Sequence, residues 1–274
     1  TILRPPQKQD GVPVSELSLI AFPTRELFME KIDDFDLIIF DRYRRRGILP
    51  DLYLENVARY VREGGAILLV AGPAFAEVES LARSPMRAVL PALPTGRVIE
   101  EGYAPSLTDV GRQHPVTAGL ASVSGDWGRW FRLIDLKPRS GHVLMEGAQG
   151  KPLLVLDRVG KGRIAILASD QAWLWSRGFE GGGPQLELLR RLAHWLMQEP
   201  ELEEEVLSAT AYGKLIKVER RSLGEAVFGI TYTGPSGEQG TAELSAVSAG
   251  KWQAEFEVQE NGIYRITDGS IETV

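Results

Sequence analysis

The chain of 274 residues contains no cysteine. That excludes a disulfide framework, a thiolate metal site and a cysteine nucleophile. It also removes any redox clue to compartment, since a cysteine-free chain is tolerated on either side of a membrane. Histidine is scarce: His114, His142 and His194 are the only three, and they show no metal-ligand spacing. No apolar run approaches the roughly 18 residues of a membrane span. The start, Thr1-Ile2-Leu3-Arg4-Pro5-Pro6, has neither a basic-then-apolar signal pattern nor a methionine, so the chain reads as a piece of a longer protein. Basic charge is not in excess, since 31 Lys and Arg against 37 Asp and Glu give a net charge of -6. A uniformly basic nucleic-acid surface is thereby disfavoured. There is no internal repeat, and no low-complexity segment longer than the acidic run Glu201 to Glu205.

What is present is the patterning of a folded α/β chain, long enough to bury roughly three quarters of its unfolded surface. Asp36 to Phe40 is a short apolar run, as expected for a strand buried on both faces of a parallel sheet. Pro50 and Asp51 open a helix, Asp51 as N-cap, with Leu54, Val57, Ala58 and Val61 on one face and Gly64-Gly65 ending it. A second buried strand, Ala66 to Ala71, stops at Gly72-Pro73. Strand, helix and strand at this spacing form a right-handed crossover unit. Ser80 to Pro105 is proline-rich, with a short helix expected around Leu81 to Val89 and a loop after it. Val143 to Met145, Leu153 to Arg158 and Arg163 to Ala168 read as strands, the last two joined by a turn at Gly160-Lys161-Gly162. After Gly181-Gly182-Gly183, Pro184 opens a helix with an apolar stripe of Leu186, Leu189, Leu192, Ala193 and Leu196.

The composition changes at Glu199-Pro200. Alternating strands are expected at Lys214 to Glu219, Ala226 to Thr233, Thr241 to Ala246, Trp252 to Val258 and Ile263 to Thr267. Turns fall at Gly234-Pro235-Ser236-Gly237, Ala249-Gly250 and Asn261-Gly262. Five short strands at this spacing suggest a small β-sandwich-like module.

Four stretches carry a resemblance: the strand ending at Asp41, Arg62-Glu63-Gly64-Gly65-Ala66, His114-Pro115-Val116-Thr117 with Gly119-Leu120, and Gly162-Arg163 through Ser169-Asp170. In this order, over residues 14 to 198, they resemble the class I glutamine amidotransferase-like domain, in particular that of large bacterial membrane proteins. The resemblance implies a flavodoxin-like sheet, a soluble segment flanked by further modules and membrane spans, and a first sheet strand lying before Thr1. In active members a cysteine stands in the sharp turn after the strand equivalent to Ala66 to Ala71, and a histidine and carboxylate follow the late strand. Here the first place reads Ala71-Gly72-Pro73-Ala74-Phe75 and the second Ala168-Ser169-Asp170-Gln171. Gly72 and Pro73 are thus a vestigial elbow, and Ser169 and Asp170 occupy a vestigial triad region.

Several candidate residues have two readings each. Asp41-Arg42-Tyr43-Arg44-Arg45-Arg46 follows a parallel strand, where ligands bind in open α/β sheets. It reads as an anion site built on Arg44, Arg45 or Arg46 with Tyr43 as a wall, or as a solvated basic loop paired with the chain's own acids. Trp173, Trp175 and Arg177 after Asp170 could line a ligand pocket or a partner hot spot; otherwise the tryptophans pack on the sheet and Asp170 holds loop amides. His114, held extended before Pro115, reads as a cap of a neighbouring loop rather than a base. Trp127-Gly128-Arg129-Trp130-Phe131 reads as a covered hydrophobic edge, and Asp33, Asp34 and Asp36 as a solvated turn rather than a cation site. Glu201 to Glu205 reads as an interdomain linker or helix extension, or as a docking site for a basic partner.

The expectation is an α/β fold with a mainly parallel flavodoxin-like sheet over residues 1–198 and a β-sandwich-like module over 204–274. The expected role is a catalytically inactive amidotransferase-like binding or assembly module. The alternative is hydrolysis or transfer on a small anionic ligand, with Asp170 as base, Ser169 as helper and Arg44 to Arg46 as clamp. No cofactor, metal or nucleic acid is expected. From the resemblance, the partners are other segments of the parent membrane protein or other envelope proteins, and the place is the bacterial cell envelope on the periplasmic side of the inner membrane. The membrane itself would be reached only through flanking segments outside this chain.

Overall fold

The computed structural model describes residues 23–122, 126–224 and 229–274. A helical turn at Glu26–Glu30 and a second at Ile32–Asp34 seat Phe28 and Ile32 in the core ahead of the first strand. β1 (Ile38–Asp41), α1 (Asp51–Glu63) and β2 (Ala66–Val70) follow, and the two strands pair in parallel. In α1, Leu54, Val57, Ala58 and Val61 form the buried face, and Gly64, at φ 133°, ends the helix in a conformation other residues rarely adopt. The expected Asp51 cap is corrected: Pro50 occupies the cap position and Asp51 is the first helical residue. Its carboxylate lies 2.5 Å from Arg45 instead of on a backbone amide.

The chain continues through β3 (Ala92–Ile99), β4 (Ser106–Leu107), a short α2 (Asp109–Gln113), β5 (Leu133–Pro138), β6 (His142–Glu146), β7 (Pro152–Val159) and β8 (Gly162–Leu167). The main sheet has the order β1-β2-β8-β7-β6-β4. β1, β2 and β8 are parallel neighbours, and the pairs from β8 outward are antiparallel. Since each antiparallel step reverses direction, β6 again runs with β1, so four of the six strands share one direction. The sheet is a mixed, flavodoxin-like one.

Two expectations for residues 80–105 fail. The helix around Leu81 to Val89 is a pair of single turns, Leu81–Arg83 and Pro85–Ala88, each opened by a serine hydroxyl. Pro85 has no N–H with which to continue a longer helix. The expected loop contains β3, which pairs antiparallel with β5 outside the main sheet.

A four-residue helix α3 (Trp173–Ser176) and α4 (Gln185–Leu196) complete this part. α4 buries Leu188, Leu192, Trp195 and Leu196, and Leu186, expected in the stripe, is 81% exposed. Spacing alone admits both phases. The observed one puts the large Trp195 indole inside, where it removes more apolar surface from water.

Past Glu203 the fold is all β: β9 (Val206–Tyr212), β10 (Leu215–Arg221), β11 (Gly229–Thr233), β12 (Gln239–Glu243), β13 (Ser245–Ser248), β14 (Lys251–Glu257), β15 (Arg265–Thr267) and β16 (Glu272–Thr273). They form two four-stranded sheets, β13-β14-β10-β9 and β12-β11-β15-β16. The five expected strands become eight. β9 was not expected, the Thr241 to Ala246 run breaks at buried Leu244, and residues 226–228 of the Ala226 to Thr233 strand lie outside the described residues. This module has its own core around Val218, Ile230 and Ile266, and Tyr232 stacks on Phe256 across the sheets at 4.0 Å.

Candidate functional site

The C-terminal ends of β1, β2 and β8 converge on Arg42, Gly72 and Asp170. In an open α/β sheet this is the edge where ligands bind. Gly72 precedes a single helical turn, Pro73–Ala76, whose Phe75 amide donates to the Gly72 carbonyl at 2.9 Å. Arg42 holds a left-handed backbone, φ 50°, and donates its amide to the Val70 carbonyl at 2.9 Å. Left-handed geometry is uncommon for arginine. Here it lays the side-chain stem over the turn, so that a Cβ on Gly72 would stand 3.3 Å from Arg42 Cγ. The Arg42 guanidinium continues to Asp170, with Nε 3.0 Å from Oδ2.

The Asp170 side chain is 5% exposed, and a second guanidinium faces it: Arg132 Nη1 lies 3.5 Å from each carboxylate oxygen. Arg132 is fixed through its backbone, whose carbonyl accepts from Ser169 Oγ at 2.7 Å and Tyr103 Oη at 2.9 Å. The Tyr103 hydroxyl is pushed well above its ordinary value, first by burial and further by the Asp170 charge, against a hydrogen bond with Ser169 that lowers it. It is therefore a neutral donor. Next to this cluster Gln171 Oε1 accepts the Phe131 amide at 2.5 Å, tying residues 131–132 to residues 169–171.

Three of the residues nominated from sequence, Tyr43, Arg44 and Arg45, are engaged elsewhere. Arg44 lies 3.1 Å from Glu79, and Arg45 binds Asp51 and donates to the Arg83 carbonyl at 2.7 Å. Tyr43 turns back edge-on against Phe40 at 5.4 Å, while Arg46 and Arg177 are exposed. The expectation that Arg44 to Arg46 would converge with Asp170 as an anion clamp is therefore corrected: the guanidiniums beside Asp170 are those of Arg42 and Arg132. The cause is the left-handed turn at Arg42, which sends residues 43–45 toward residues 77–83. Ser169 is fully buried with its hydroxyl donated, so it is not placed as a nucleophile or helper.

The tryptophans divide. Trp175 is buried, donates to the Gly128 carbonyl at 2.7 Å, and packs against Trp127 and Trp130 at 5.3 and 4.7 Å. Trp173 is 54% exposed and does not pack on the sheet. Trp130 is fully buried as expected for a covered edge, but Phe131 and Phe179 of the same region are exposed and meet edge to face at 5.7 Å.

His114 and the acidic run form a second polar cluster. The Val116 amide donates to His114 Nδ1 at 3.2 Å, which leaves the proton on Nε2 to reach Glu204 Oε1 at 3.1 Å. Trp195 Nε1 donates to the same oxygen at 2.8 Å, and Arg158 binds the other. Burial would raise the Glu204 carboxyl, but the hydrogen bonds from His114 and Arg158 outweigh it and hold the group well below its ordinary value. Glu203 bridges Arg158 and buried Arg163, and Arg163 lies over the Trp195 ring at 4.9 Å. Glu205 takes Arg220 of β10 at 2.7 Å. The run is not a helix extension, since α4 ends at Leu196; it connects the α/β part to the β part, and the partners of Glu203, Glu204 and Glu205 belong to the same chain.

Among the described residues no three of His, Cys, Asp and Glu converge as metal ligands. Asp33 faces Arg59 at 3.3 Å. A cleft of about 510 Å³, lined by Asp33, Asp36, Tyr60, Gly65 and Met197 among others, lies at the opposite, N-terminal ends of β1 and β2, away from Arg42, Gly72 and Asp170.

Residues 32–195 match the family described as "Putative glutamine amidotransferase". No protein of curated function matches the sequence. A solved cytoplasmic protein of Salmonella typhimurium is similar over 65% of this chain and 76% of its own, at 21% identity and TM-score 0.51, a likeness of fold alone. A second cytoplasmic protein, from Salmonella typhimurium LT2, covers 61% of this chain and 74% of its own at 24% identity and TM-score 0.48. A β-galactosidase of Bacillus circulans sp. alkalophilus covers 83% of this chain but 34% of its own, at 14% identity and TM-score 0.40.

Proposed function

The chain belongs to the glutamine amidotransferase-like family, and from that premise we propose that it is an amidotransferase-like domain without glutaminase turnover, serving as a binding or assembly module. The observation that carries this reading is the turn after β2. Gly72 and Pro73 offer no thiol or hydroxyl, and the Arg42 stem covers the position a side chain at residue 72 would take. Covalent catalysis needs a nucleophile and a base within hydrogen-bond reach. Asp170 faces two guanidiniums, Ser169 donates its proton to a backbone carbonyl, and His114 is turned to Glu204.

Ammonia release from glutamine by the full chain tests the reading, with background rates expected for wild type and for Gly72→Cys, which restores a thiol without a histidine. Clear wild-type turnover that disappears in Asp170→Asn would overturn it. A place in a larger envelope protein, on the periplasmic side and with that protein's other segments as partners, is a companion proposal supported by the resemblance. Alkaline phosphatase fused after this segment in the full-length polypeptide should be active; an inactive, stably expressed fusion contradicts that placement.

A further inference from the structure

The geometry points to the Arg42–Asp170–Arg132 cluster as a receptor for a small oxyanion, a carboxylate or phosphate group, which competes with the resident Asp170 carboxylate for the two guanidiniums. The inference rests on the binding-module reading and names the ligand class of that site. Arg132 is held by its backbone, through the Ser169 and Tyr103 hydroxyls, yet its guanidinium is loosely engaged. Its contacts with Asp170 and Glu100 are all 3.5 Å, and its buried Nε makes no hydrogen bond among the described residues. A guanidinium carries five donors in a planar fork that matches two oxygens of a carboxylate or phosphate. Arg42 commits its Nε to Asp170, and its side chain is 63% exposed, which leaves its terminal nitrogens open to solvent.

Two guanidiniums face two carboxylates, Asp170 and, 3.5 Å from Arg132 Nε, Glu100; the Glu100 side chain is 68% exposed, so an incoming oxyanion can take its place on Arg132. The left-handed backbone of Arg42 aims it across the turn at Asp170, and unusual backbone geometry of this kind collects at ligand clamps. Phe131 and Trp173, both exposed, lie on the same two segments and offer apolar surface to the rest of a ligand.

The test is a titration of the full chain at constant ionic strength with inorganic phosphate in one arm and acetate in the other, read by calorimetry and by melting temperature. Saturable binding with a rising Tm is expected, and the stronger arm identifies the oxyanion. Arg132→Gln is expected to weaken binding about tenfold or more, with an unchanged circular dichroism spectrum. Asp170→Asn should tighten it about tenfold, because the competing carboxylate is gone. Should Asp170→Asn not fold, Arg42→Gln, altered at an exposed side chain, takes its place and should weaken binding. A flat response in both arms, binding undiminished in Arg132→Gln, or weaker binding in folded Asp170→Asn overturns the proposal. Glutamine turnover would overturn the inactive-domain reading and leave these titrations interpretable. A flat titration without turnover removes the oxyanion site alone.

Discussion

Trp173 and Trp175 stand two residues apart on α3 in different surroundings. The buried indole of Trp175 has both a hydrogen bond to Gly128 and two aromatic neighbours, so Trp175→Ala should cost roughly 3–5 kcal/mol in urea unfolding. Trp173 is exposed, and Trp173→Ala should stay within about 0.5 kcal/mol. Equal losses would mean that Trp173 is covered in solution. Sequence pattern could not separate the two, because a four-residue helix has no periodicity to read and both residues follow the same strand. Arg42 was illegible for a related reason: nothing in Asp41-Arg42-Tyr43 announces a left-handed arginine, yet that single dihedral decides which arginine meets Asp170.

His114 and Glu204 make the residue scale sensitive to acid. Burial lowers His114 below its ordinary 6.5 by more than its hydrogen bond to Glu204 raises it. The unfolded chain therefore binds a proton that the fold resists, and stability declines as pH falls through 6.5. Glu204 is held below its ordinary 4.5, so its contribution is complete above that pH and is lost as pH falls below it. Tm measured between about pH 3 and 8 should fall in two stages. Glu204→Gln should flatten the lower stage and His114→Asn the upper one. A Glu204→Gln curve parallel to wild type would remove Glu204 as the acid-sensitive group.

At the scale of elements, the β7–β8 turn is pressed against the end of α1. The Lys161 amide donates to the Arg62 carbonyl at 2.9 Å, and a Cβ on Gly162 would stand 2.0 Å from the Val61 carbonyl oxygen. Backbone on both sides leaves no flexible atom to yield, so Gly162→Ala should destabilise by about 3 kcal/mol, seen as a lower urea midpoint at constant m. An unchanged midpoint would show that α1 can retreat from the turn. The Gly160-Lys161-Gly162 turn and both flanking strands were readable because apolar runs bounded by glycine carry their own signal. β3 was not readable: its run, Ala92-Leu93-Pro94-Thr95-Gly96-Arg97-Val98-Ile99, contains Pro94 and Gly96, and the ladder with β5 shifts register between Pro94 and Val98. Its existence depends on β5, some 35 residues away.

Across the whole molecule, one core runs from Phe28 to Leu196 and a second from Leu207 to Ile266. Between them Glu203 and Glu204 bind Arg158, Arg163, His114 and Trp195 on one side, while Glu205 binds Arg220 on the other. Removing one partner of a buried ion pair costs about 3–5 kcal/mol because the other charge stays buried without it. Calorimetry of the wild type should therefore show one coupled transition, and Glu203→Gln/Glu204→Gln should split it in two. A single unsplit transition in that variant would mean that other contacts couple the two cores.

The sequence by itself determined the α/β sheet with its β1–α1–β2 unit, the β module, and the absence of a cysteine at the turn after β2. Hydrophobic period, glycine and proline punctuation and residue identity are local properties, and local properties are written in the chain. The tertiary structure decided the phase of α4, the pairing of β3, the choice of Arg42 and Arg132 over Arg44 to Arg46, and the pairing of an acidic run with arginines on both sides of it. Each of these depends on which charges and surfaces meet across tens of residues, and an isolated Arg or Glu does not encode its partner.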